Sequence, residues 1–336
     1  MRKINTIGVL TSGGDAPGMN AAIRAIVLTA QHHGISVTGF KRGFNGLLNG
    51  EHFQLTECYV RDIIHHGGTV LKSARCQAFT TEQGQLQASE VLNRLAIDCL
   101  IVIGGDGSLR GAELLADYWS GQIIGLPGTI DNDVAGADKT IGFATAVNTA
   151  VEAIDKIRDT ADAFERTFLV EVMGRESGYI AMSVAIACAA EQVLTFESRQ
   201  LPSQQLASIV NHITNAQKSR GNSSYIMVIA ENLWPTGTIE LAKELTEQSN
   251  IECQPCILGH IQRGGRPVFE DRILATKLGV AAVEASVDGA HLVMLGEVNQ
   301  SITATPLSKL ALEHKTIDTF LFNAQQQIFE YHDFHD

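Results

Sequence analysis

The residues that most clearly suggest chemistry are two aspartates, Asp131 and Asp133, in the segment LPGTIDNDV at 126–134. Thr129 comes before them, and one residue separates each of these polar side chains from the next. If the segment is extended, alternate residues share a face and both carboxylates point into one site. Two close carboxylates raise the pKa of one of them unless a cation compensates, so one can accept a proton while the other orients a ligand or binds metal. A solvated turn is the alternative, and it explains one aspartate better than two.

Other strand-like runs also end in glycine-rich turns. GGDGS (104–108) offers flexible backbone donors, and Asp106 is the kind of oxygen ligand that Mg²⁺ takes beside phosphates. TSGGDAPGMNAAIRA (11–25) is a turn before a helix, whose N-terminus favours an anion, although it matches neither common nucleotide-binding fingerprint. Both segments therefore indicate phosphate binding. The alternatives are an aspartate that caps a helix and a simple tight turn.

Two further segments bring basic side chains to such turns. EVMGRESG (171–178) places Arg175 at a strand end, where an arginine suits an anion clamp. LGHIQRGGRPVFEDR (258–272) places His260 and Arg263 three residues apart, so both could contact one phosphate from a single helical turn. The alternatives are a surface ion pair for Arg175, and a core histidine with a surface arginine for the second segment.

These turns need a scaffold that brings strand ends together. Short runs rich in Val and Ile alternate with segments of helical spacing, such as 19–33, which stops at Gly34, and 144–160. The alternation predicts doubly wound α/β sheets with mainly parallel strands, in which ligands bind beyond the carboxyl ends of the strands. The length of 336 residues suggests two domains, and we expect a boundary near DKTIGF (138–143).

Composition argues against several classes of protein. The formal net charge of -12 disfavours a nucleic-acid partner. The longest near-continuous apolar run, at 181–190, is half the ~20 residues that a membrane span needs, and the N-terminus has no signal-peptide layout. The six cysteines are scattered, as thiols are in a reducing compartment; CQPC (253–256) is weak evidence for a redox pair or half a zinc site. We therefore expect a cytoplasmic protein with no membrane partner.

The chain resembles the bacterial-type phosphofructokinase family. The segments GVLTSGGDAPGMNAAIR, IGGDGS, GLPGTIDND, VEVMGR and LGHIQRGG are similar to that family's motifs and occur in the family's order, from residue 8 to about residue 272. The resemblance implies two similar doubly wound α/β domains with mainly parallel sheets, normally assembled as a homotetramer with active sites between subunits. The implied nucleotide-binding domain is 1–142 plus about 262–312, and the implied sugar-phosphate-binding domain is 143–261 plus about 313–336.

The resemblance also implies an activity and a role for each site residue. The activity is ATP-dependent phosphorylation of the 1-hydroxyl of fructose 6-phosphate in glycolysis, with Asp131 as the base, Thr129 and Arg175 as further catalytic residues, and Mg²⁺ on Asp106. The implied ATP contacts are Gly14, Arg75, Cys76, Gly105, Asp106, Gly107 and Ser108. The implied fructose 6-phosphate contacts are Thr129, Ile130, Asp131, Asp133, Arg166, Met173, Gly174, Arg175, Glu231, His260 and Arg263, of which Arg166 would reach a neighbouring subunit's ligand. Such a site works by positioning and charge neutralisation.

Two glycines bear on the phosphoryl donor. Pyrophosphate-using relatives typically carry an aspartate where this chain has Gly107 and a lysine where it has Gly128. An aspartate at that place would crowd and repel the α-phosphate of a nucleotide. We therefore expect ATP rather than pyrophosphate as the donor.

The sequence departs from the family at the sugar phosphate and at the regulatory site. Gln254 stands where the family usually has an arginine, so we expect weak affinity for fructose 6-phosphate, or another acceptor such as tagatose 6-phosphate or sedoheptulose 7-phosphate. Leu28 and Glu57 replace regulatory arginines, and a lysine-rich segment is thinned to KSRGNSSY (218–225). The regulatory residues that match the family are Arg24, Arg158 and Glu191. We expect weak or absent control by ADP or phosphoenolpyruvate.

A non-catalytic paralogue that binds nucleotide and modulates a partner is the alternative from another class. The intact residues Asp106, Asp131 and Arg175 argue against it, because such a protein has no physical need for the base.

Overall fold

The computed structural model of the chain describes residues 3–220, 223–310, 312 and 315–329. Its strands are β1 (Thr6–Ser12), β2 (Ser36–Phe40), β3 (His52–Leu55), β4 (Cys99–Gly104), β5 (Gln122–Thr129), β6 (Ile141–Gly142), β7 (Thr167–Val172), β8 (Gln192–Leu194), β9 (Tyr225–Ala230), β10 (Cys253–Ile257), β11 (Val293–Val298) and β12 (Ser301–Pro306). Its helices are α1 (Met19–His32), α2 (Gly43–Asn49), α3 (Glu57–Val60), α4 (Glu82–Arg94), α5 (Asp106–Leu115), α6 (Phe143–Phe164), α7 (Tyr179–Ala187), α8 (Pro202–Arg220), α9 (Thr238–Ser249), α10 (Phe269–Val287), α11 (Leu307–Leu310) and α12 (Thr319–Phe329). Outside the described residues lie 221–222 of the KSRGNSSY segment and residues 1–2, 311, 313–314 and 330–336 of the expected domains.

The predicted α/β alternation is confirmed. The strand-like runs before the quoted segments TSGGD, GGDGS and MGRESG form β1, β4 and β7, and β5 runs through Pro127 and Gly128 to Thr129. The two segments of helical spacing form α1 and α6, and Gly34 follows α1 with a left-handed φ of 69°. A glycine reaches that conformation without the strain that a Cβ would cause, which explains why the helix ends there.

The described chain forms two compact units. The first contains the residues up to Thr145 together with Arg263–Lys315, and the second contains Ala146–Gln262 together with the residues after Lys315. The chain leaves the first unit within α6, returns after Gln262 and leaves again after Lys315. Which unit holds nucleotide and which holds sugar phosphate stays a prediction.

The first unit is built on one large sheet with the order β12-β11-β5-β4-β1-β2-β3, and β6 pairs with β5. Its inner strands pair in parallel, whereas β3 and β12 run antiparallel at the two edges. Every residue of β4 is buried, as expected for a central parallel strand that is covered on both faces. The sheet therefore offers one aligned edge of strand ends.

The second unit is built on a smaller sheet with the order β10-β7-β9-β8, in which all the pairs are parallel. The inner strand β9 is wholly buried, and helices α8 and α9 contribute Ile209, Ile213, Leu241 and Leu245 to the core beside it. β7 and β9 end in register, because Val172 pairs with Ala230. This edge carries the Met-Gly-Arg turn.

The first turn of α6 is held by an aspartate from a distant part of the sequence. The Asp271 carboxylate accepts hydrogen bonds from Gly142 N (2.8 Å), Thr145 N (2.7 Å) and Thr145 Oγ1 (2.5 Å). Burial raises the pKa of Asp271, and the bonds from Thr145 and Gly142 oppose that rise. The carboxylate thus serves as the N-cap of α6 and places a negative charge at the positive end of the helix dipole.

We predict that Asp271→Ala lowers the free energy of unfolding by about 2–4 kcal/mol, because three donors lose their acceptor in a buried place. Urea denaturation of the variant beside the wild type measures the loss. Glu270→Ala removes the exposed neighbouring carboxylate and should change stability by about 0.5 kcal/mol or less. An Asp271→Ala variant as stable as Glu270→Ala would contradict this account of the cap.

Candidate functional site

Three loops of the first unit meet because the strands before them are in register. Ser12 of β1 pairs with Gly104 of β4, and Gly104 pairs with Pro127 of β5. A Cβ added to Gly13 would lie 3.3 Å from Ser108 Oγ, and one added to Gly105 would lie 3.5 Å from Thr129 Cβ. The turn after β1, the GGDGS loop and the start of the TIDND loop are therefore in contact.

The GGDGS loop forms the N-terminus of α5. Gly105 is the N-cap residue, and no side chain caps the helix there. The first N–H groups of the helix are thus left for a ligand or water, and the helix dipole favours an anion. Asp106 stands half-buried in the first turn, while Ser108 is buried. Because the N-cap is Gly105, the alternative of Asp106 as the capping residue is wrong.

Gly14 makes room for an arginine that comes from far along the chain. A Cβ on Gly14 would lie 2.5 Å from Arg263 Nη1, and the same nitrogen donates to the carbonyl oxygen of Asp15 at 3.2 Å. The guanidinium group therefore lies across the turn after β1. A Cβ at this position would displace the guanidinium group of Arg263 from this place.

The TIDND segment does not meet the condition of an extended chain beyond Thr129. β5 ends at Thr129, the chain bends at Ile130 and Asp131, and Asn132 is left-handed with a φ of 53°. Alternate residues consequently do not share a face beyond the strand. Thr129 and Asp131 are each 8% exposed, and Asp131 N donates to Thr129 Oγ1 at 3.2 Å.

The other members of this loop differ in exposure. Asp133 is half-buried, and the side chain of Ile130 is wholly buried in the core, so Ile130 could offer a ligand only its backbone. Asn132 is 2% exposed, and its Oδ1 accepts from Thr140 N at 3.0 Å and from Lys315 Nζ at 2.9 Å. Sequence reasoning missed both Asn132 and Lys315 as members of the site.

The remaining predicted ATP contacts lie in an irregular segment of the first unit. Arg75 is exposed, and its carbonyl oxygen accepts from Asn45 Nδ2 at 3.0 Å. Cys76 is half-buried and packs against the core of the unit. The structure leaves the Arg75 side chain accessible to a ligand.

In the second unit the Met-Gly-Arg turn after β7 is fixed from two sides. Glu231 Oε1 accepts from Gly174 N (3.1 Å) and Arg175 N (2.7 Å). Gln262, which is fully buried, accepts from Met173 N at 2.8 Å. Arg175 itself is exposed, with a left-handed φ of 59°. Sequence reasoning missed Gln262, although it lies inside the quoted motif LGHIQRGG.

A polar cluster of this unit contains Arg166 and Gln254. Glu252 joins them, because its Oε2 lies 3.7 Å from Arg166 Nε and its Oε1 accepts from Gln254 Nε2 at 2.6 Å. The Arg166 guanidinium also lies 4.7 Å from the centre of the Phe164 ring. The Glu252 carboxylate is thus shared by Arg166 and Gln254.

His260 and Arg263 lie in one short 3-10 turn, Gly259–Arg263. His260 is exposed and belongs to the second unit, while Arg263 begins the return into the first. The predicted helical spacing is therefore present. Their convergence on one phosphate stays a prediction.

The CQPC segment is β10 itself. Its two cysteines stand three residues apart in a strand and hence face opposite ways. Burial raises the pKa of Cys253 to about 11, which disfavours the thiolate that redox and zinc chemistry require. All six cysteines are free of disulfides. The segment is best read as plain thiols.

The predicted regulatory residues Arg158 and Glu191 are bound to their own unit. Glu191 is 3% exposed, lies 3.4 Å from Arg158 Nη1 and accepts from Ile226 N at 2.8 Å. Arg158 Nη2 also donates to the carbonyl oxygens of Cys188 and Ala189 at 3.0 Å each. Leu28 is half-buried and Glu57 is exposed, both in the first unit.

Among the helices that the structure describes, none combines the length and the apolar character required to span a membrane. Within the same residues, no three His, Cys, Asp or Glu side chains are grouped so as to hold a metal ion by themselves. A cation at Asp106 would therefore need ligands from elsewhere.

The chain is similar to known proteins over almost its whole length. The family model described as Phosphofructokinase matches residues 6–286. "ATP-dependent 6-phosphofructokinase 1" of Thermus thermophilus is 48% identical over 320 residues, which are 95% of this chain and 98% of the relative. "ATP-dependent 6-phosphofructokinase 2" of Bacteroides thetaiotaomicron is 44% identical over 329 residues, 98% of this chain and 99% of the relative.

Solved structures that superpose on this chain include phosphofructokinases. A phosphofructokinase of Saccharomyces cerevisiae superposes with a TM-score of 0.86 at 33% identity, and the match covers 97% of this chain but only 48% of that longer chain. A pyrophosphate-dependent phosphofructokinase of Marinobacter aquaeolei has a TM-score of 0.82 at 23% identity, with 94% of this chain and 86% of that chain covered. At that identity the second likeness shows the fold alone.

Proposed function

The chain belongs to the phosphofructokinase family, and we propose that it is an ATP-dependent 6-phosphofructokinase that converts fructose 6-phosphate to fructose 1,6-bisphosphate. The observation that carries the proposal is the near-full-length similarity, at 44–48% identity, to relatives with that name. The loops in contact at the edge of the first sheet support it, because they place phosphate-binding elements beside a buried carboxylate.

We assign the proton transfer to Asp131. Its carboxylate would take the proton of the sugar 1-hydroxyl as the hydroxyl oxygen forms its bond to the γ-phosphorus of ATP and the bond to the ADP oxygen breaks. Thr129 would orient the hydroxyl, and Arg175 and Arg263 would offset charge on the phosphate groups. Binding and orientation of both substrates are thus the main tasks of the protein side chains.

We also propose that Asp106 holds Mg²⁺. A half-buried carboxylate beside an uncapped helix N-terminus fits an ion that takes one or two protein oxygens and completes its shell with phosphate oxygens and water. The ion would neutralise charge on the phosphates of ATP. The lack of a three-residue metal cluster among the described residues suits this arrangement better than a metal site built wholly by the protein.

Gly107 and Gly128, the two glycines that bear on the choice of phosphoryl donor, have different surroundings. A Cβ on Gly128 would lie 2.8 Å from Ile103 Cγ2 and 3.0 Å from Met19 Cε, so this glycine is required by packing. A Cβ on Gly107 meets no described atom within 4 Å. A glycine inside a helix costs roughly 0.5–1 kcal/mol relative to alanine, so Gly107 has no structural reason to be glycine. We infer that Gly107 keeps space for the nucleotide.

The test is a coupled kinase assay with fructose 6-phosphate, tagatose 6-phosphate and sedoheptulose 7-phosphate, each with ATP or pyrophosphate. ATP should support turnover, and Gly107→Asp should lower kcat/KM for ATP by about tenfold or more through repulsion of the phosphates. Gly107→Ala is the matched control for the loss of glycine and should fold at least as well as the wild type. Turnover with pyrophosphate but not with ATP would refute the donor assignment.

The same assay separates the enzyme from a non-catalytic paralogue. The wild type should be active and Asp131→Asn should have lost its turnover, because the amide cannot accept the proton. An inactive wild type that still binds ATP would favour the paralogue.

The acceptor is the less conventional part of the proposal. Glu252 offsets the charge of Arg166, and Gln254 adds no charge. The proposed binding site for the 6-phosphate formed by Arg166 and Gln254 is therefore close to neutral, where the family usually has two arginines. A binding site with little net charge should bind the 6-phosphate weakly. We therefore keep tagatose 6-phosphate and sedoheptulose 7-phosphate as alternative acceptors.

We predict that Gln254→Arg lowers KM for fructose 6-phosphate about ten- to a hundredfold, since a charged hydrogen bond contributes roughly 1.5–3 kcal/mol. KM for ATP should stay unchanged. Gln254→Met, which removes the amide without adding charge, is the matched control and should not lower KM. An unchanged KM for the sugar phosphate in Gln254→Arg would count against the assigned role.

We further propose weak regulation and a homotetramer with sites shared between subunits. Glu191 and Arg158 already satisfy each other, and the charge reversal at Glu57 removes attraction for an anionic effector. Titration with phosphoenolpyruvate should leave the sugar-phosphate saturation curve nearly unchanged. Strong inhibition would refute the regulatory part alone.

A further inference from the structure

The side-chain amide of Asn132 helps to close the loop that carries Asp131. Thr129 and Thr140 bracket the loop, and Thr140 Oγ1 donates to Thr129 O at 2.6 Å. Asn132, left-handed and 2% exposed, accepts from Thr140 N (3.0 Å) and from Lys315 Nζ (2.9 Å) through Oδ1. The middle of the loop is thereby tied both to its own end and to Lys315.

Lys315 makes a second bond to the same loop. Its Nζ donates to the carbonyl oxygen of Asp138 at 2.8 Å, and Asn132 Nδ2 donates to that oxygen at 3.4 Å. Burial lowers the pKa of Lys315 to about 8, and the carboxylates of Asp138 and Asp133 partly oppose the shift. An apolar residue of similar length would fill this place without the cost of burying an ammonium group, so packing alone does not explain the lysine.

We propose that Lys315 is a positioning residue for phosphoryl transfer, whose ammonium group fixes the loop from Thr129 to Thr140 and so the placement of the Asp131 carboxylate. The inference rests on the proposed function. Lys315 lies 183 residues from Asn132, at the point where the chain leaves the first unit. Its role is carried through Asn132 and the loop.

The proposal fixes the sign of a pH effect. Lys315 is charged below about pH 8, and above it the amine donates fewer hydrogen bonds and no longer offsets Asp133 and Asp138. The turnover number should then fall. The folded-state pKa lies below the usual 10.5, so between these two values the unfolded chain binds more protons and this group makes the fold more stable as pH rises. A loss of rate in that range is therefore not a loss of folding caused by Lys315.

The experiment measures kcat, and KM for ATP, from pH 6.5 to 9.5 in four proteins. The wild type should lose rate above about pH 8, whereas Lys315→Arg, which stays charged, should keep its rate across that range. Lys315→Met should lower kcat about tenfold or more at pH 7, with KM for ATP changed by about twofold or less. Lys309→Met removes an exposed lysine nearby and is the matched control, with a wild-type profile. A wild-type kcat and pH profile in Lys315→Met would overturn the proposal.

A second measurement does not need activity. Hydrogen exchange followed by mass spectrometry on the ligand-free protein should show faster exchange in peptides covering 129–140 for Lys315→Met, but not for Lys315→Arg or Lys309→Met. Slow exchange there in Lys315→Met would overturn the positioning role even if the rate fell. If Lys315→Met does not fold, Lys315→Gln, which also lacks the charge but keeps an N–H donor, takes its place: exchange of 129–140 as slow as in the wild type would overturn the role. A wild type without kinase activity would refute the proposed function, and exchange would still decide the role of Lys315 in the loop.

Discussion

The site of the first unit depends on the register of its parallel strands. Hydrogen bonding places Ser12, Gly104 and Pro127 at one level, so the chain must turn three times at the same edge. Three adjacent turns have little room for side chains, and the residues there are small for that reason: an added Cβ on Gly104 would lie 2.7 Å from both Ser108 Cβ and Ser12 O. Backbone donors and one helix N-terminus then face a common space, which is the arrangement that a polyphosphate needs. The proposed phosphate binding thus has its basis in sheet geometry.

Local sequence predicts what local forces decide. Runs of β-branched residues before glycine turns, and helical spacing between them, determine the strands and helices, because burial on both faces of a parallel sheet imposes that pattern. The Asn132 conformation could not be found in this way, since the alternation of Thr129, Asp131 and Asp133 is equally compatible with an extended segment. Asparagine does tolerate the left-handed region, and that tendency was the one available signal.

Contacts between distant parts of the sequence set the rest. Lys315 reaches Asn132 across 183 residues, and the Glu252 carboxylate bonds to both Arg166 and Gln254. Neither contact leaves a periodic or compositional trace. The difference between Gly107 and Gly128 is also invisible in sequence, because it depends on whether Ile103 and Met19 lie beside the missing Cβ. Family motifs point to the positions that matter, but the reason for each residue comes from its neighbours.

The role of each basic side chain in this acidic protein also depends on its neighbours. With a net charge of -12, a cation can serve an anionic ligand only where nearby acids do not already neutralise it. Arg263 donates to a neutral carbonyl oxygen and lies over a glycine turn, so its charge is not offset by that contact. Arg166 shares Glu252 with Gln254, which reduces what it can offer a phosphate. Lys315 is buried between a carbonyl, an amide and nearby carboxylates, where a mobile phosphate would have to displace its partners. The three cations therefore suit three different proposed tasks: contact with a phosphate, weak assistance to one, and support of the loop that carries Asp131, the proposed base.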